Sequence, residues 1–148
     1  VHLDEVSRRV ASLYGLKRTS SRVTETVQSH VAEMAAAATI HQTDEFVSIV
    51  DAPVRIRDRS KVTHLRKTEL IALSEIRVGV QAIIEAHFGA TQEDAIIETG
   101  RLFGFSATSS QLRERIAGQV EAMLDSEMLV EMDSWLHVNE QADVELES

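Results

Sequence analysis

The sequence predicts a mainly α protein with small β-wings, built from two tandem winged helix–turn–helix units. Apolar residues recur at helical spacing along most of the chain, and glycine or hydroxyl residues stand where helices would end or begin. Residues 1–49 also align without a gap on residues 90–138 when the sequence is shifted by 89 positions. Nine of the 49 positions are identical, among them the Thr-Ser-Ser runs that begin at Thr19 and Thr108. We therefore expect the two segments to share one fold.

The first unit opens with two predicted helices. The first helix has Asp4 near its positive end and is closed by Gly15, a residue typical of helix C-termini. Thr19 is then expected to cap the second helix. On the first helix, the apolar residues Leu3, Val6, Val10 and Leu13 recur at helical spacing. The second helix carries a predicted buried stripe of Val23, Val27, Val31 and Met34.

The second unit repeats this pattern and adds a helix in front of it. Gly104 and Thr108 take the roles of helix stop and helix cap, and the predicted stripe of the last helix is Leu112, Ile116, Val120 and Met123. The additional helix is expected to begin at Ser74 and end at Gly89, with Ile76, Val80, Ile83 and Ile84 at helical spacing. Unit one has no such helix in this sequence. We therefore expect unit one to expose an apolar groove around Leu3, Val6, Val10 and Val27, covered by a helix from upstream, by the linker or by another copy of the chain.

A two-stranded hairpin, the wing, is expected after the second helix of each pattern. The predicted strands are 39–42 and 46–50 in unit one, and 128–131 and 135–138 in unit two. The predicted organisation is unit one at 1–52, a basic linker arm at 53–73, unit two at 74–138 and an acidic tail at 139–148.

The charge of the chain is unevenly distributed. The net charge is −9, which alone argues against nucleic-acid binding over the whole surface. Residues 1–31 contain five bases and three acids, and residues 53–67 contain six bases and one acid. Residues 68–148 contain four bases and sixteen acids, so their net charge of −12 would repel phosphate. Any nucleic-acid contact is therefore expected mainly in the first half of the chain.

Motifs for catalysis, metals and cofactors are not found in the sequence. Cysteine is absent, the histidines do not pair at metal-ligand spacing, and no glycine-rich loop ends in Gly-Lys-Ser or Gly-Lys-Thr. We therefore predict no cofactor, no metal and no enzymatic activity. Since no apolar run approaches the length of a membrane-spanning helix, we also predict a cytoplasmic protein without a membrane partner.

The candidate nucleic-acid-binding residues surround the start of the second helix of unit one. Basic and hydroxyl side chains at a helix N-terminus can contact phosphates and base edges. The candidates are Lys17, Arg18, Ser20, Ser21, Arg22 and Gln28, with Arg55 and Arg57 in the linker and Arg113 and Arg115 in unit two. In the alternative interpretation, Thr-Ser-Ser is only a helix cap and the arginines are solvated. The linker arginines, including Arg59, could equally dock onto the acidic half of this protein.

The chain also resembles a known protein family. The segments VHLDEVSRRVASLYGLKRTSSRV and GATQEDAIIETGRLFGFSATSSQLRERI, joined through a Pro-Val-Arg-x-Arg linker, resemble the uncharacterised C-terminal domain of large bacterial superfamily 1 DNA helicase-like proteins. That domain often follows a very-short-patch-repair-type endonuclease domain. The resemblance implies a position beside helicase-like or nuclease domains of the same polypeptide, and it supplies no catalytic residues.

Two functions remain open from the sequence. The first is an accessory, non-catalytic module that binds DNA within a helicase or nuclease protein. The second is a protein–protein interaction or homodimerisation module on the same scaffold, which the acidic second half favours.

Overall fold

The chain folds into a mainly helical structure with two small antiparallel hairpins. The structure is a computed structural model and describes residues 1–141, so residues 142–148 of the predicted acidic tail lie outside the described part. The described part contains five α-helices and two two-stranded sheets. The chain divides into two compact units, Val1–Pro53 and the chain from Val54 onward.

Unit one consists of two helices followed by a hairpin. Its elements are α1 (Leu3–Leu13), α2 (Ser21–Ala36), β1 (Ile40–Thr43) and β2 (Phe46–Ile49). Helix α1 packs against α2, and β1 follows α2 along the same core. In the hairpin, Ile40 pairs with Ile49, and Asp44 adopts a positive φ of 52° at the turn.

Unit two has three helices before its hairpin. Two short 3₁₀ helices, Thr63–Leu65 and Thr68–Leu70, come first. They are followed by α3 (Leu73–Ala86), α4 (Gln92–Leu102), α5 (Ser110–Asp125), β3 (Leu129–Met132) and β4 (Trp135–Val138). Helices α3, α4 and α5 pack against one another, and β4 also packs on α3.

The repeat predicted from the sequence corresponds to the elements of the structure. Every bound of α1, α2, β1 and β2 recurs 89 positions later in α4, α5, β3 and β4. The chain entry to each hairpin corresponds too. Val1 and Val47 exchange two backbone hydrogen bonds of 2.7 and 2.8 Å, and Ala90 and Leu136 exchange two of 3.1 and 2.7 Å. The two halves therefore share element order, element lengths and strand attachment.

The ends of the paired helices are capped in the same way in both units. Gly15 and Gly104 have φ of 73° and 91°, values that favour glycine, and each donates its N–H to a carbonyl in the last turn of the preceding helix. At the start of α2 and α5 the predicted caps are wrong by one residue. Ser20 and Ser109, rather than Thr19 and Thr108, cap the helices.

The start of α3 also differs from the prediction. The helix begins at Leu73 with Ala72 as the capping residue, and no side chain there accepts a hydrogen bond, so Ser74 lies inside the first turn. The predicted stop is confirmed in position, since α3 ends at Ala86 and Gly89 follows with φ of 117°. The Gly89 N–H donates to the Ile84 carbonyl at 2.9 Å and closes the helix.

The two cores are unequal. In unit two, the predicted stripe of α5 is fully buried and packs with α3, α4 and both strands of the hairpin. In unit one, only Leu3, Val27 and Val31 form the buried apolar cluster. The prediction that Met34 is buried is wrong, because its side chain is 42% exposed. The predicted position of the groove is also wrong at Leu3 and Val27, which are each only 7% exposed, whereas Leu13 is 85% exposed. The two cores differ because, within residues 1–53, no helix occupies the place that α3 takes in unit two.

Residues 54–73, expected to form an extended arm, group with unit two and partly enter its interior. The Arg59 side chain is 4% exposed and donates two hydrogen bonds of 2.9 and 2.8 Å to the carboxylate of Glu75 on α3. The Arg59 backbone N–H donates to the Phe103 carbonyl at 3.0 Å, and the guanidinium lies 5.7 Å from the Phe103 ring centroid. Arg59 therefore links the first turn of α3 to the C-terminal end of α4 through hydrogen bonds.

The beginning of the predicted acidic tail is attached to the fold. The Asn139 side-chain amide donates to the Glu127 carbonyl at 2.7 Å, and its backbone N–H donates to the Met128 carbonyl at 3.0 Å. Asn139 therefore belongs to the edge of unit two rather than to a frayed end.

Candidate nucleic-acid interface

The basic end of α2 is the strongest candidate surface. Lys17 and Arg18 lie in the turn between α1 and α2, and Arg22 lies in the first turn of α2. All three side chains are exposed, and none forms an ion pair or a hydrogen bond with the rest of residues 1–141. The Ser20 hydroxyl accepts a hydrogen bond from the Val23 N–H at 3.3 Å and so fixes where the helix begins. Three exposed cations thus lie within a few residues of a helix N-terminus, which itself favours an anion.

Polar side chains continue from this end along α2. Ser21 and Gln28 are both exposed and are two helical turns apart, so they lie on the same face of the helix. Glu25 is also exposed on this helix but makes no ion pair with Arg22 within the described residues. Beyond the basic end, this face therefore exposes a hydroxyl and an amide, the kinds of group that hydrogen-bond to base edges.

The two other arginines of unit one are held by a carboxylate. Arg8 and Arg9 both donate to Glu5, with Nε–Oε distances of 2.6 and 2.7 Å. The Arg8 hydrogen bond is the largest cause, and together the guanidiniums lower the pKa of Glu5 from its ordinary value of 4.5 to about 2. Arg8 and Arg9 therefore differ from Lys17, Arg18 and Arg22 at the basic end of α2, which have no carboxylate partner within the described residues.

Unit two lacks the basic end at the corresponding positions. Shifting Lys17, Arg18 and Arg22 by 89 positions leads to Ser106, Ala107 and Gln111, which carry no charge. The acidic half of the chain thus lacks the feature that makes the α2 end attractive to phosphate.

The arginines predicted as contacts in unit two are engaged within the fold. Arg113 forms two hydrogen bonds of 2.5 and 2.9 Å with the Glu93 carboxylate, and these hydrogen bonds lower the pKa of Glu93. Arg115 donates to the Ile71 carbonyl at 2.9 Å, and its Nε is buried. Binding phosphate through either arginine would require giving up these contacts.

The linker arginines fall into two groups. The side chains of Arg55 and Arg57 are exposed and without partners in the described part of the chain, whereas Arg59 is buried against Glu75. The Arg57 backbone N–H donates to the Glu75 carboxylate at 2.9 Å, which fixes the main chain and leaves the guanidinium free. Of the two alternatives for the linker, docking onto the acidic half describes Arg59, and exposure for external contact describes Arg55 and Arg57.

The sequence offered docking of Arg59 onto the acidic half as one alternative, but it did not identify Glu75 as the partner. Glu75 lies in the first turn of α3, where the helix dipole favours a carboxylate. Its position at a helix start therefore explained the acidic residue without a buried partner. The alternation of Val54-Arg55-Ile56-Arg57 was the one indication that this segment packs with one side inward.

Metal-ligand groups and membrane-length helices are absent from the described part of the chain. Residues 1–141 contain no group of three or more His, Cys, Asp or Glu side chains that could hold a metal ion. Among the helices of the same residues, none is long and apolar enough to cross a membrane.

Comparison with protein-family models, with curated proteins and with solved structures finds no match for this chain.

Proposed function

We propose that the protein is an accessory nucleic-acid-binding module in which the basic end of α2 contacts the phosphate backbone. In this proposal each repeat is a winged helix–turn–helix unit: α2 and α5 correspond to recognition helices, and the two hairpins correspond to wings. The module itself is non-catalytic and works in the cytoplasm beside helicase-like or nuclease domains of the same polypeptide, as the sequence resemblance implies.

The observation that carries the proposal is that some basic side chains are paired with carboxylates, whereas others have no such partner. Arg8, Arg9, Arg59 and Arg113 are each paired with a carboxylate of their own unit. Lys17, Arg18 and Arg22 are not paired, and they cluster where the partial positive charge of the α2 N-terminus adds to theirs. A side chain that already has a carboxylate partner gains less from phosphate than one that is only hydrated.

The remaining candidates have secondary roles in this proposal. Ser21 and Gln28, farther along α2, can hydrogen-bond to phosphate or base edges once the basic end has positioned the helix. Arg55 and Arg57, which are exposed on unit two, are proposed as separate phosphate contacts. Arg113 and Arg115 contribute less, because they are engaged with Glu93 and the Ile71 carbonyl.

A binding titration tests the proposal. Labelled duplex and forked DNA are titrated with the full chain at low salt, and affinity is read by fluorescence anisotropy. We expect saturable binding that the double substitution Arg18→Ala/Arg22→Ala weakens for all sequences alike, because lost phosphate contacts are sequence-independent. Arg113→Ala, which removes an arginine paired with Glu93, is the matched control and should change affinity little. Absence of binding at low salt would refute the proposal.

A protein-interaction or homodimerisation function is the second candidate, and the exposed apolar residues of unit one favour it. Leu13 and Tyr14 are 85% and 81% exposed and lie next to each other at the end of α1. Sedimentation across a wide concentration range distinguishes the two functions, since a dimer formed through this surface would weaken on substituting Tyr14→Asp but not on substituting Arg18→Ala.

A further inference from the structure

Two side chains that are exposed in unit one have equivalents that are buried in unit two, where α3 packs on α4 and α5. Tyr14 is 81% exposed, whereas its equivalent Phe103 is fully buried. Met34 is 42% exposed, whereas its equivalent Met123 is 1% exposed. The helices and strands of the two units have corresponding bounds, so the two units share one fold. The difference in exposure therefore arises because unit one has no helix in the position of α3.

Contacts of α3 show what this surface is shaped to accept. A Cβ atom on Gly79 of α3 would lie only 2.8 Å from the Phe103 ring and 3.4 Å from the Thr99 side chain, so α3 approaches α4 most closely at its glycine. On either side of Gly79, the α3 residues Ile76, Val80 and Ile84 are buried in the core. The cover in unit two is thus an amphipathic helix with an apolar stripe and a small residue opposite the aromatic ring.

The direction and charge of such a helix also follow from unit two. Glu75, in the first turn of α3, accepts hydrogen bonds from Arg59, whose own N–H donates to the Phe103 carbonyl. The acidic first turn of α3 therefore lies toward the Gly104 end of α4. The corresponding end of unit one carries the unpaired cations Lys17 and Arg18, which complement an acidic first turn.

We propose that the face of unit one carrying Val10, Tyr14 and Met34, the equivalents of Thr99, Phe103 and Met123, is a docking site for an amphipathic helix of about four turns that has an acidic first turn and a small residue facing Tyr14. The docked helix lies as α3 does on unit two, with its C-terminal end near Val1, because Val1 occupies the place of Ala90, which follows α3 after a short turn. This inference does not require nucleic-acid binding, and a docked acidic turn would compete with phosphate for Lys17 and Arg18.

A graft of the protein's own α3 tests the inference directly. Residues 73–89 are duplicated in front of Val1 of the full chain, so that the added helix reaches unit one through the same connection that joins α3 to Ala90. We expect the melting temperature of unit one to rise by at least ~5 °C. The methyl signal of Met34 should shift in the NMR spectrum, and that of Met123 should not.

Two controls decide the interpretation. Replacing the grafted copies of Ile76 and Val80 by Asp removes the apolar stripe, and Tyr14→Asp alters the proposed surface; each should abolish the stabilisation. In the ungrafted chain, Tyr14→Asp should leave unit one stable, since the ring is 81% exposed. The inference is overturned if the graft leaves the melting temperature and the Met34 signal unchanged, or if the Asp-substituted graft stabilises unit one equally. It is also overturned if the ungrafted chain forms a dimer that Tyr14→Asp dissociates, because a second copy would then be the occupant.

Discussion

Replacing Phe103 should be among the most destabilising substitutions in unit two. The ring is fully buried, its edge meets α3 at Gly79, and the buried Arg59 guanidinium lies 5.7 Å from its centroid. Removing a buried phenylalanine side chain typically costs about 3–5 kcal/mol. We expect Phe103→Ala to reach the upper part of this range, because it also removes the aromatic neighbour of a buried cation. The equivalent substitution Tyr14→Ala should change the stability of unit one by about 0.5 kcal/mol or less, since that ring is 81% exposed.

Urea unfolding measures this difference separately in the two units. Trp135, the only tryptophan, lies in β4 and reports on unit two. Far-ultraviolet circular dichroism follows the helices of both units, so a transition seen there but not in Trp135 fluorescence reports on unit one. If Phe103→Ala prevents folding, Phe103→Leu should still fold with a loss of about 1–2 kcal/mol. A loss below about 1 kcal/mol for Phe103→Ala, or an equal loss for Tyr14→Ala, would refute the reasoning that only unit two has a closed core.

Three further predictions concern the buried pair, acid stability and the methionines. Arg59→Met should destabilise unit two by about 3–5 kcal/mol in urea unfolding, because it leaves Glu75 buried without its partner. The double substitution Arg59→Met/Glu75→Met should recover much of this loss. Equal losses in the single and double variants would contradict this account. Since the pKa of Glu5 is lowered from 4.5 to about 2, its contribution of at most about 3 kcal/mol is present above pH 4.5 and is lost as the pH falls through 2. An acid titration followed by circular dichroism should show this loss in unit one, and Glu5→Gln, which has no charge to lose, should abolish it. Met123→Ala should lower the free energy of unfolding by about 2–5 kcal/mol in thermal unfolding, whereas Met34→Ala should change it by no more than about 0.5 kcal/mol. Similar losses for both substitutions would contradict the account, because they would show that the core of unit one is covered as that of unit two is.

Local features of the sequence predicted much of the fold. Helical spacing and the 89-residue repeat located α1, α2, α4, α5 and both hairpins to within one or two residues. Cap residues were less well predicted, because Thr19 and Ser20 are both good caps and only the backbone conformation decides between them. Neighbouring hydroxyl residues therefore leave an ambiguity of one residue that the spacing of apolar residues does not remove.

Burial in unit one was overpredicted from its pattern. Met34 continues the apolar stripe of α2 as Met123 continues that of α5, yet only Met123 is covered. A stripe shows which face of a helix seeks a partner, but the presence of the partner is a tertiary property. The same reasoning applies to Leu13, which is at helical spacing and is 85% exposed.

Candidate contacts were predicted by residue type, and the structure separates them by partner. Arg18 and Arg113 look alike in the sequence as basic residues near a helix start. In the structure, Arg113 meets Glu93, which is 20 positions earlier, whereas Arg18 meets no carboxylate within the described residues. Such distant pairings depend on how helices pack, so periodicity and spacing could not reveal which cations are free.

The dependence of DNA affinity on salt tests the proposed interface most directly. Each phosphate contact contributes about −0.9 to the slope of log affinity against log salt concentration. For the full chain on duplex DNA we predict that Arg18→Ala/Arg22→Ala flattens this slope by about two units and that Arg113→Ala leaves it unchanged. Gln28→Ala should alter sequence preference more than the slope. An unchanged slope in the Arg18/Arg22 variant, or a slope lost through Arg113 instead, would contradict the assignment of the basic end of α2 as the phosphate-binding surface.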